Sequence, residues 1–279
     1  MVPPVPSIPR NDQARTDVPP KQPVVRRVTA AAVARRKGKA PFAMMTAYDA
    51  PFAGCVEEAG IDLILVGDSV GNNVLGYDST TPVTLSDMLH HTAAVARGTV
   101  KAHIVTDLPF GTYQASDADA IRAATRVVQE GGASSVKLEG GARARERIKA
   151  IVGAGIPVMA HIGLLPQTAG LGPGFKVRSD REALLADARA VEAAGAYAVV
   201  LEVVDHGIAA EIGKAIAIPT IGIGSGKGCD GQVLVMHDVL GLHAIAPSFV
   251  KQYANLRTEI ISALEHFASD VKDRSFPAD

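Results

Sequence analysis

Four acidic residues close four short apolar runs: Asp68 after LILVG, Asp107 after HIVT, Glu139 after SVKL and Glu202 after AVVL. The runs are short, β-branched and punctuated by Gly or Pro, the pattern of buried strands in a parallel sheet. A carboxylate at the end of a buried strand is costly unless something compensates it. Strand ends converge on one face of an α/β barrel, so four such acids point to one shared site with a bound cation. Asp68, Asp107 and Glu139 supply oxygen ligands of the kind that suit Mg²⁺ or Mn²⁺. No Cys/His cluster offers a zinc site instead. Such a cation can bind a 2-oxo acid through its carboxylate and keto oxygen, acidify the adjacent carbon and stabilise an enolate. Each acid taken alone is equally well read as a helix cap or a surface ion pair.

Neighbouring residues extend that chemistry. Lys137 lies two positions before Glu139, so both side chains share one face of the strand. It either pairs with substrate oxygen or forms a buried ion pair with one of the acids. His161 ends a later strand and is positioned to donate to the same oxygen; a lone histidine is more often structural. Ser69 follows Asp68 and can offer its hydroxyl or its backbone N–H. Glu202 belongs to a strand across from Asp68. Proton abstraction needs a carboxylate not tied to a metal, which makes Glu202 a candidate general base; a structural acid is the even alternative.

The elements that must position these groups alternate along the chain. Strands are expected at 41–47, 61–67, 101–107, 134–140, 156–164, 196–204, 218–226 and 233–238. Helices are expected between them, the first from VTAAAVARRKGKA and the last over 249–272. Asp49 reads as an N-cap and Gly60 as a stop. Two connections, 68–84 and 165–180, are longer than usual, and such loops are often functional. Eight strands alternating with helices favour a (β/α)8 barrel over a doubly wound open sheet. No GxGxxG opens the first helix, so the dinucleotide fingerprint is missing. GIGSGKG lacks the GK[ST] ending of a phosphate loop and reads as a glycine-rich turn.

Bulk properties narrow the class. The chain has 279 residues, 47% hydrophobic and 20% charged, with a formal net charge of −1. That balance suits a sizeable soluble core. It leaves no electrostatic footprint for nucleic acid or an anionic membrane. Arg35, Arg36 and Lys37 read as a solvated helix face. Cys55 and Cys229 argue against a disulfide framework. Cys55 is expected to be a small core residue, and Cys229 a loop thiol without a catalytic partner. Residues 1–25 are Pro-rich and polar, without an apolar signal core. They are expected to be a disordered extension ahead of a single barrel domain over 26–279. A cytoplasmic protein follows as the expectation.

Read in order, TAYDAPFA, LVGDSVG, GYDSTTPVT, HHTAAVARG, DLPFGTY, VKLEGG, HIGLLPQ, VLEVV and IGIGSG with CDGQVLVMHD resemble the ketopantoate hydroxymethyltransferase family, from about residue 28 to 265. The resemblance implies a (β/α)8 TIM barrel of the phosphoenolpyruvate/pyruvate type with an N-terminal helix, assembled as a homodecamer. It implies transfer of a hydroxymethyl group from 5,10-methylenetetrahydrofolate to 3-methyl-2-oxobutanoate, giving 2-dehydropantoate and tetrahydrofolate. By that resemblance Asp68, Asp107 and Glu139 match Mg²⁺ ligands, and Asp68, Ser69, Asp107 and Lys137 match 2-oxo-acid-binding positions. Glu202 matches the proton acceptor and His161 a substrate-contacting histidine. Two departures stand out: Pro173 in a glycine slot of the loop after the fifth strand, with Ser179 near its end, and Ser225 where alanine is usual. Both are expected near the folate side. Rival readings are another metal-dependent enzyme of the same superfamily, such as a 2-oxo-acid lyase or a phosphonopyruvate-forming mutase, a non-catalytic metabolite sensor, and an assembly scaffold.

Overall fold

Parallel strands need crossovers, and this chain supplies a helix at nearly every one. The computed structural model describes residues 26–170, 176–243 and 245–278. Among them the strands β1 (Phe42–Thr46), β2 (Leu63–Val66), β3 (His103–Asp107), β4 (Ser135–Glu139), β5 (Val158–Gly163), β6 (Ala198–Glu202), β7 (Thr220–Ile223) and β8 (Gly231–Leu234) pair in sequence order. β8 pairs back with β1, which closes a parallel barrel.

The helices are α1 (Ala30–Ala34), α2 (Ala50–Glu58), α3 (Leu85–Arg97), α4 (Asp117–Gln129), α5 (Arg145–Gly153), α6 (Pro166–Ala169), α7 (Arg181–Ala193), α8 (His206–Ala215), α9 (Met236–Val239) and α10 (Leu256–Lys272). Their starts are written in the sequence. Asp49 caps α2 by accepting from Phe52 N–H, and Thr84 with Asp87 forms a reciprocal capping box on α3. Ser116, Asp180 and Asp205 cap α4, α7 and α8 in the same way.

Alternation along each strand divides the core in two. Outward residues such as Ile64, Ile104, Val136, Leu138 and Val199 pack against the helices. Inward residues such as Leu65, Val105, Met159, Val200 and Val233 fill the barrel. Below them the interior is polar but satisfied: His103 Nε2 lies 2.9 Å from Ser135 Oγ and 3.0 Å from Tyr197 OH. This Ser–His pair is a plug, not a nucleophile. The N-terminal segment closes over it, with His103 Nδ1 2.9 Å from Val28 O, and Arg27 donating to Ala96 O, Thr99 O, Thr99 Oγ1 and Ala102 O.

Several expectations are corrected. VLVMHD is not the eighth strand: β8 begins two residues earlier and ends at Leu234, and Met236–Val239 turns into α9 because Met236 N–H is taken by Thr46 Oγ1. The final helix starts at Leu256, since 249–255 runs back over the barrel, with Tyr253 N–H bonded to Val239 O. The two long connections carry short helices, a π-helical turn at Gly71–Leu75 and α6. Cys55 is exposed rather than core, on the outer side of α2. Arg36 and Lys37 are not simply solvated: they bind Asp62 and Asp230. The N-terminal extension and Pro173 lie outside the described residues.

Candidate active site

Every acid singled out by position arrives at the same end of the barrel. Asp68, Ser69, Asp107, Lys137, Glu139, His161 and Glu202 line one cavity of about 210 Å³ at the C-terminal ends of the strands. Asp107 and Glu139 are the last residues of β3 and β4, and Glu202 the last of β6. Asp68 stands two residues beyond β2. The close approach there depends on Gly67: a Cβ at that position would meet Ser69 Oγ at 2.8 Å.

The polar contacts form a chain. Asp107 Oδ2 accepts from Asp68 N–H at 3.0 Å, and Asp107 Oδ1 lies 2.9 Å from Lys137 Nζ. Both side chains of that ion pair are about 95% buried. Lys137 Nζ is also 3.2 Å from His161 Nδ1. The imidazole in turn sits between two carboxylates, with Nδ1 3.3 Å from Glu139 Oε1 and Nε2 3.3 Å from Glu202 Oε2. Nδ1 cannot accept from Lys137 and donate to Glu139 at once. Two flanking carboxylates favour the protonated ring.

Charge explains the titration behaviour. Burial pushes Asp68 well above the usual carboxylate range, and the Asp107 and Glu139 charges push it further. Burial also raises Asp107, against the pull of Lys137. Burial works against the Lys137 cation, but Asp107, Glu139 and Asp68 together raise its pKa. Burial and Lys137 oppose the charge on His161, yet Glu139 and Glu202 prevail and bring it up to about 9. Four carboxyl groups thus share one cavity with two basic side chains, an excess of acids over bases.

That excess is the test of a metal. Among the described residues no group of three or more His, Cys, Asp or Glu is arranged to hold a metal ion. A closed ligand cage is therefore absent from them. A hard cation such as Mg²⁺ asks for less: one or two carboxylates, with water and substrate completing the shell. Asp68 and Asp107 provide such a pair. Asp107 Oδ1 has no aligned hydrogen bond despite its burial, which leaves a lone pair open. The donor set fits a substrate-shared cation better than a protein cage.

Three more residues emerge only in three dimensions. Gln167, on α6, donates to Asp68 Oδ2 at 2.8 Å and to Leu108 O at 2.9 Å. Its backbone N–H reaches Glu139 Oε2 at 3.3 Å, so one residue ties two of the acids. Tyr113 OH donates to Gln167 Oε1 at 2.8 Å. Tyr48 OH lies 2.9 Å from Ser69 Oγ and orients it; burial raises the phenol to about 12, keeping it a neutral donor. HIGLLPQ, DLPFGTY and TAYDA contain these residues, but nothing in their spacing marks them.

Glu202 sits on a bent support. Val203 follows it at φ 50, unusual for a β-branched residue. Ser225 stabilises the bend: its hydroxyl accepts from Val204 N–H at 3.0 Å and donates to Leu201 O at 2.7 Å. Ser225 is fully buried in that support. Ser179 is exposed just ahead of α7. Cys229 is buried, and burial lifts its thiol to about 11, which removes it as a nucleophile.

Comparison with known proteins agrees with this geometry. The sequence pattern of the ketopantoate hydroxymethyltransferase family matches residues 27–279. A 3-methyl-2-oxobutanoate hydroxymethyltransferase from Halalkalibacterium halodurans is 50% identical, over 90% of this chain and 92% of its own. One from Thermotoga neapolitana is 52% identical, over 88% and 92%. Among solved structures, phosphoenolpyruvate phosphomutase from Streptomyces platensis subsp. rosaceus superposes with a TM-score of 0.60 at 17% identity, covering 88% of each chain. A 2,3-dimethylmalate lyase of the PEP mutase/isocitrate lyase superfamily gives 0.58 at 17% identity, over 90% and 91%. These two likenesses establish the type of barrel and nothing finer.

Proposed function

Because the chain belongs to the ketopantoate hydroxymethyltransferase family, we propose that its barrel mouth carries out that family's reaction with the residues gathered there. The activity is hydroxymethyl transfer to 3-methyl-2-oxobutanoate in pantothenate biosynthesis. 5,10-Methylenetetrahydrofolate is the one-carbon donor in this reading, and Mg²⁺ the metal.

Asp68 and Asp107 would hold the cation, with Glu139 as the third acid beside them. When bound, such a cation would balance the excess of acidic groups and draw electrons from the keto group of the substrate. Ser69, oriented by Tyr48, donates to the substrate carboxylate. Lys137, anchored by Asp107, faces the oxygen that gains charge as C3 loses its proton. His161 donates to the same oxygen or holds the Glu202 carboxylate in place. Glu202 takes the C3 proton, and the resulting carbanion equivalent forms its C–C bond to the one-carbon unit, while water supplies the hydroxyl oxygen and the C–N bonds to the folate break to release tetrahydrofolate. The supporting observation is the position of Glu202: it shares the cavity with Asp68, Asp107 and Lys137, yet among the described residues its carboxylate pairs only with His161, and its side chain is 18% exposed.

The test is deuterium exchange at C3 of 3-methyl-2-oxobutanoate, without folate, with and without Mg²⁺. Glu202→Gln is expected to bind the acid but lose exchange by roughly 10²–10⁴-fold. Exchange at the wild-type rate would remove Glu202 as the base. Chelation is expected to abolish exchange; persistence in chelator would remove the metal.

Self-association belongs to the same reading, as a homodecamer. It is supported by α10, which buries none of its residues yet exposes Ile260, Ile261, Leu264, Phe267 and Val271. Among the described residues no helix is long and apolar enough to cross a membrane. A cytoplasmic location and the absence of nucleic-acid partners are part of this reading too.

A further inference from the structure

Gln167 stands among the acids of the cavity but has no part in the chemistry assigned so far. It is 2% exposed, and its side-chain amide is fully engaged. Nε2 donates to Asp68 Oδ2 at 2.8 Å and to Leu108 O at 2.9 Å. Oε1 accepts from Tyr113 OH at 2.8 Å. That pattern fixes the amide: turned over, Oε1 would face two acceptors, Asp68 Oδ2 and Leu108 O. Tyr113 is held in turn, because its OH accepts from Glu139 N–H at 3.3 Å. The backbone N–H of Gln167 donates to Glu139 Oε2 at 3.3 Å. Asp107 repeats the arrangement with another donor. Its Oδ2 accepts from Asp68 N–H, while its Oδ1 has no aligned hydrogen bond. Each of the three acids thus has one oxygen pinned by a fixed N–H.

We propose that Gln167 is a positioning residue that decides which divalent cation the site takes: it holds Asp68 to one free oxygen and so favours Mg²⁺ over Ca²⁺. The inference rests on the metal reading above. A carboxylate with one oxygen committed to a donor offers a cation only the other. Mg²⁺ keeps several waters and asks for few carboxylate oxygens. Ca²⁺ is larger, takes about 6–8 oxygens and readily uses both oxygens of one carboxylate. Without the Gln167 amide, Asp68 is free to turn and present both, which suits the larger ion. The amide is also neutral. It fixes the acid without competing with a cation for it, as a lysine or arginine in the same place would.

The experiment is calorimetric titration of MgCl2 and of CaCl2 into the metal-free protein, with and without saturating 3-methyl-2-oxobutanoate. It reads metal affinity, not turnover. The wild type is expected to bind Mg²⁺ more tightly than Ca²⁺. Gln167→Met is close in size and keeps the backbone N–H but removes the amide. It is expected to weaken Mg²⁺ by roughly 10–100-fold and Ca²⁺ by less, so that the ratio of affinities moves roughly 10-fold toward Ca²⁺. Tyr113→Phe keeps the amide but removes the O–H that orients it, and is expected to move the ratio the same way by less. It also carries the test if the first variant fails to fold. Folded variants that weaken both ions equally, or neither, overturn the selectivity role, as does a wild type that prefers Ca²⁺. A wild type that binds neither ion, with or without the acid, overturns the metal reading itself.

Discussion

At the scale of single residues, the site separates acids that look alike in sequence. Glu202 differs from Asp68, Asp107 and Glu139 in its partners: they share a cluster with Lys137, whereas among the described residues its carboxylate pairs only with the histidine. Its aim depends on Ser225, whose hydroxyl bridges Leu201 and Val204 on either side of the bend. A residue held at positive φ costs about 1–3 kcal/mol and persists only when its surroundings impose it. Ser225→Ala is therefore expected to lower kcat several-fold with KM for the 2-oxo acid little changed, because the base moves while the oxygen-binding residues stay. Equal loss in kcat and in substrate affinity would make Ser225 a general packing residue. Asp68, Asp107, Glu139, His161 and Glu202 were legible as strand-end positions, and Lys137 from its two-residue spacing to Glu139. Gln167 and Tyr48 were not, since a glutamine on a short helix and a tyrosine after β1 join the site only once the loops fold over the mouth.

At the scale of elements, caps and stops were the clearest signals. Asp49, Thr84 and Ser116 open their helices where local chemistry requires. Errors fell at strand and helix ends, where distant partners decide, as when Thr46 takes Met236 N–H and starts α9. A similar long-range cap holds α2 to β3: the Glu57 carboxylate accepts from Val100, Lys101 and Ala102 N–H, at 2.6 to 3.1 Å. Burial raises this carboxyl, but the three amides outweigh it and leave the pKa below the ordinary value. A carboxyl lowered on folding contributes stability above its unfolded pKa and loses it as pH falls through the folded one. Glu57→Gln is expected to cost about 1–2 kcal/mol at pH 7. The gap should close in acid, below the usual glutamate range. Denaturant melts at neutral and acidic pH check this; a gap that is constant with pH would mean the carboxylate charge is immaterial.

At the scale of the whole molecule, two features of the described residues lie open: the cavity at the barrel mouth and the exposed apolar face of α10. A contiguous exposed apolar face is the kind of surface used for protein contacts, which the proposed self-association would cover. Leu264→Asp combined with Phe267→Asp is expected to lower the mass measured by sedimentation without unfolding the barrel. An unaltered mass would remove α10 from the assembly. The strand–helix alternation, the eight-strand count, the acid at each critical strand end and the family pattern could all be read from the chain, because periodicity, capping and short motifs are local properties. Which acids meet, which face a lysine and which is left with only a histidine could not. Those depend on strand stagger around a closed barrel, on the missing Cβ of Gly67 and on the hydroxyl of Ser225, and a linear pattern does not encode contacts between residues a hundred positions apart.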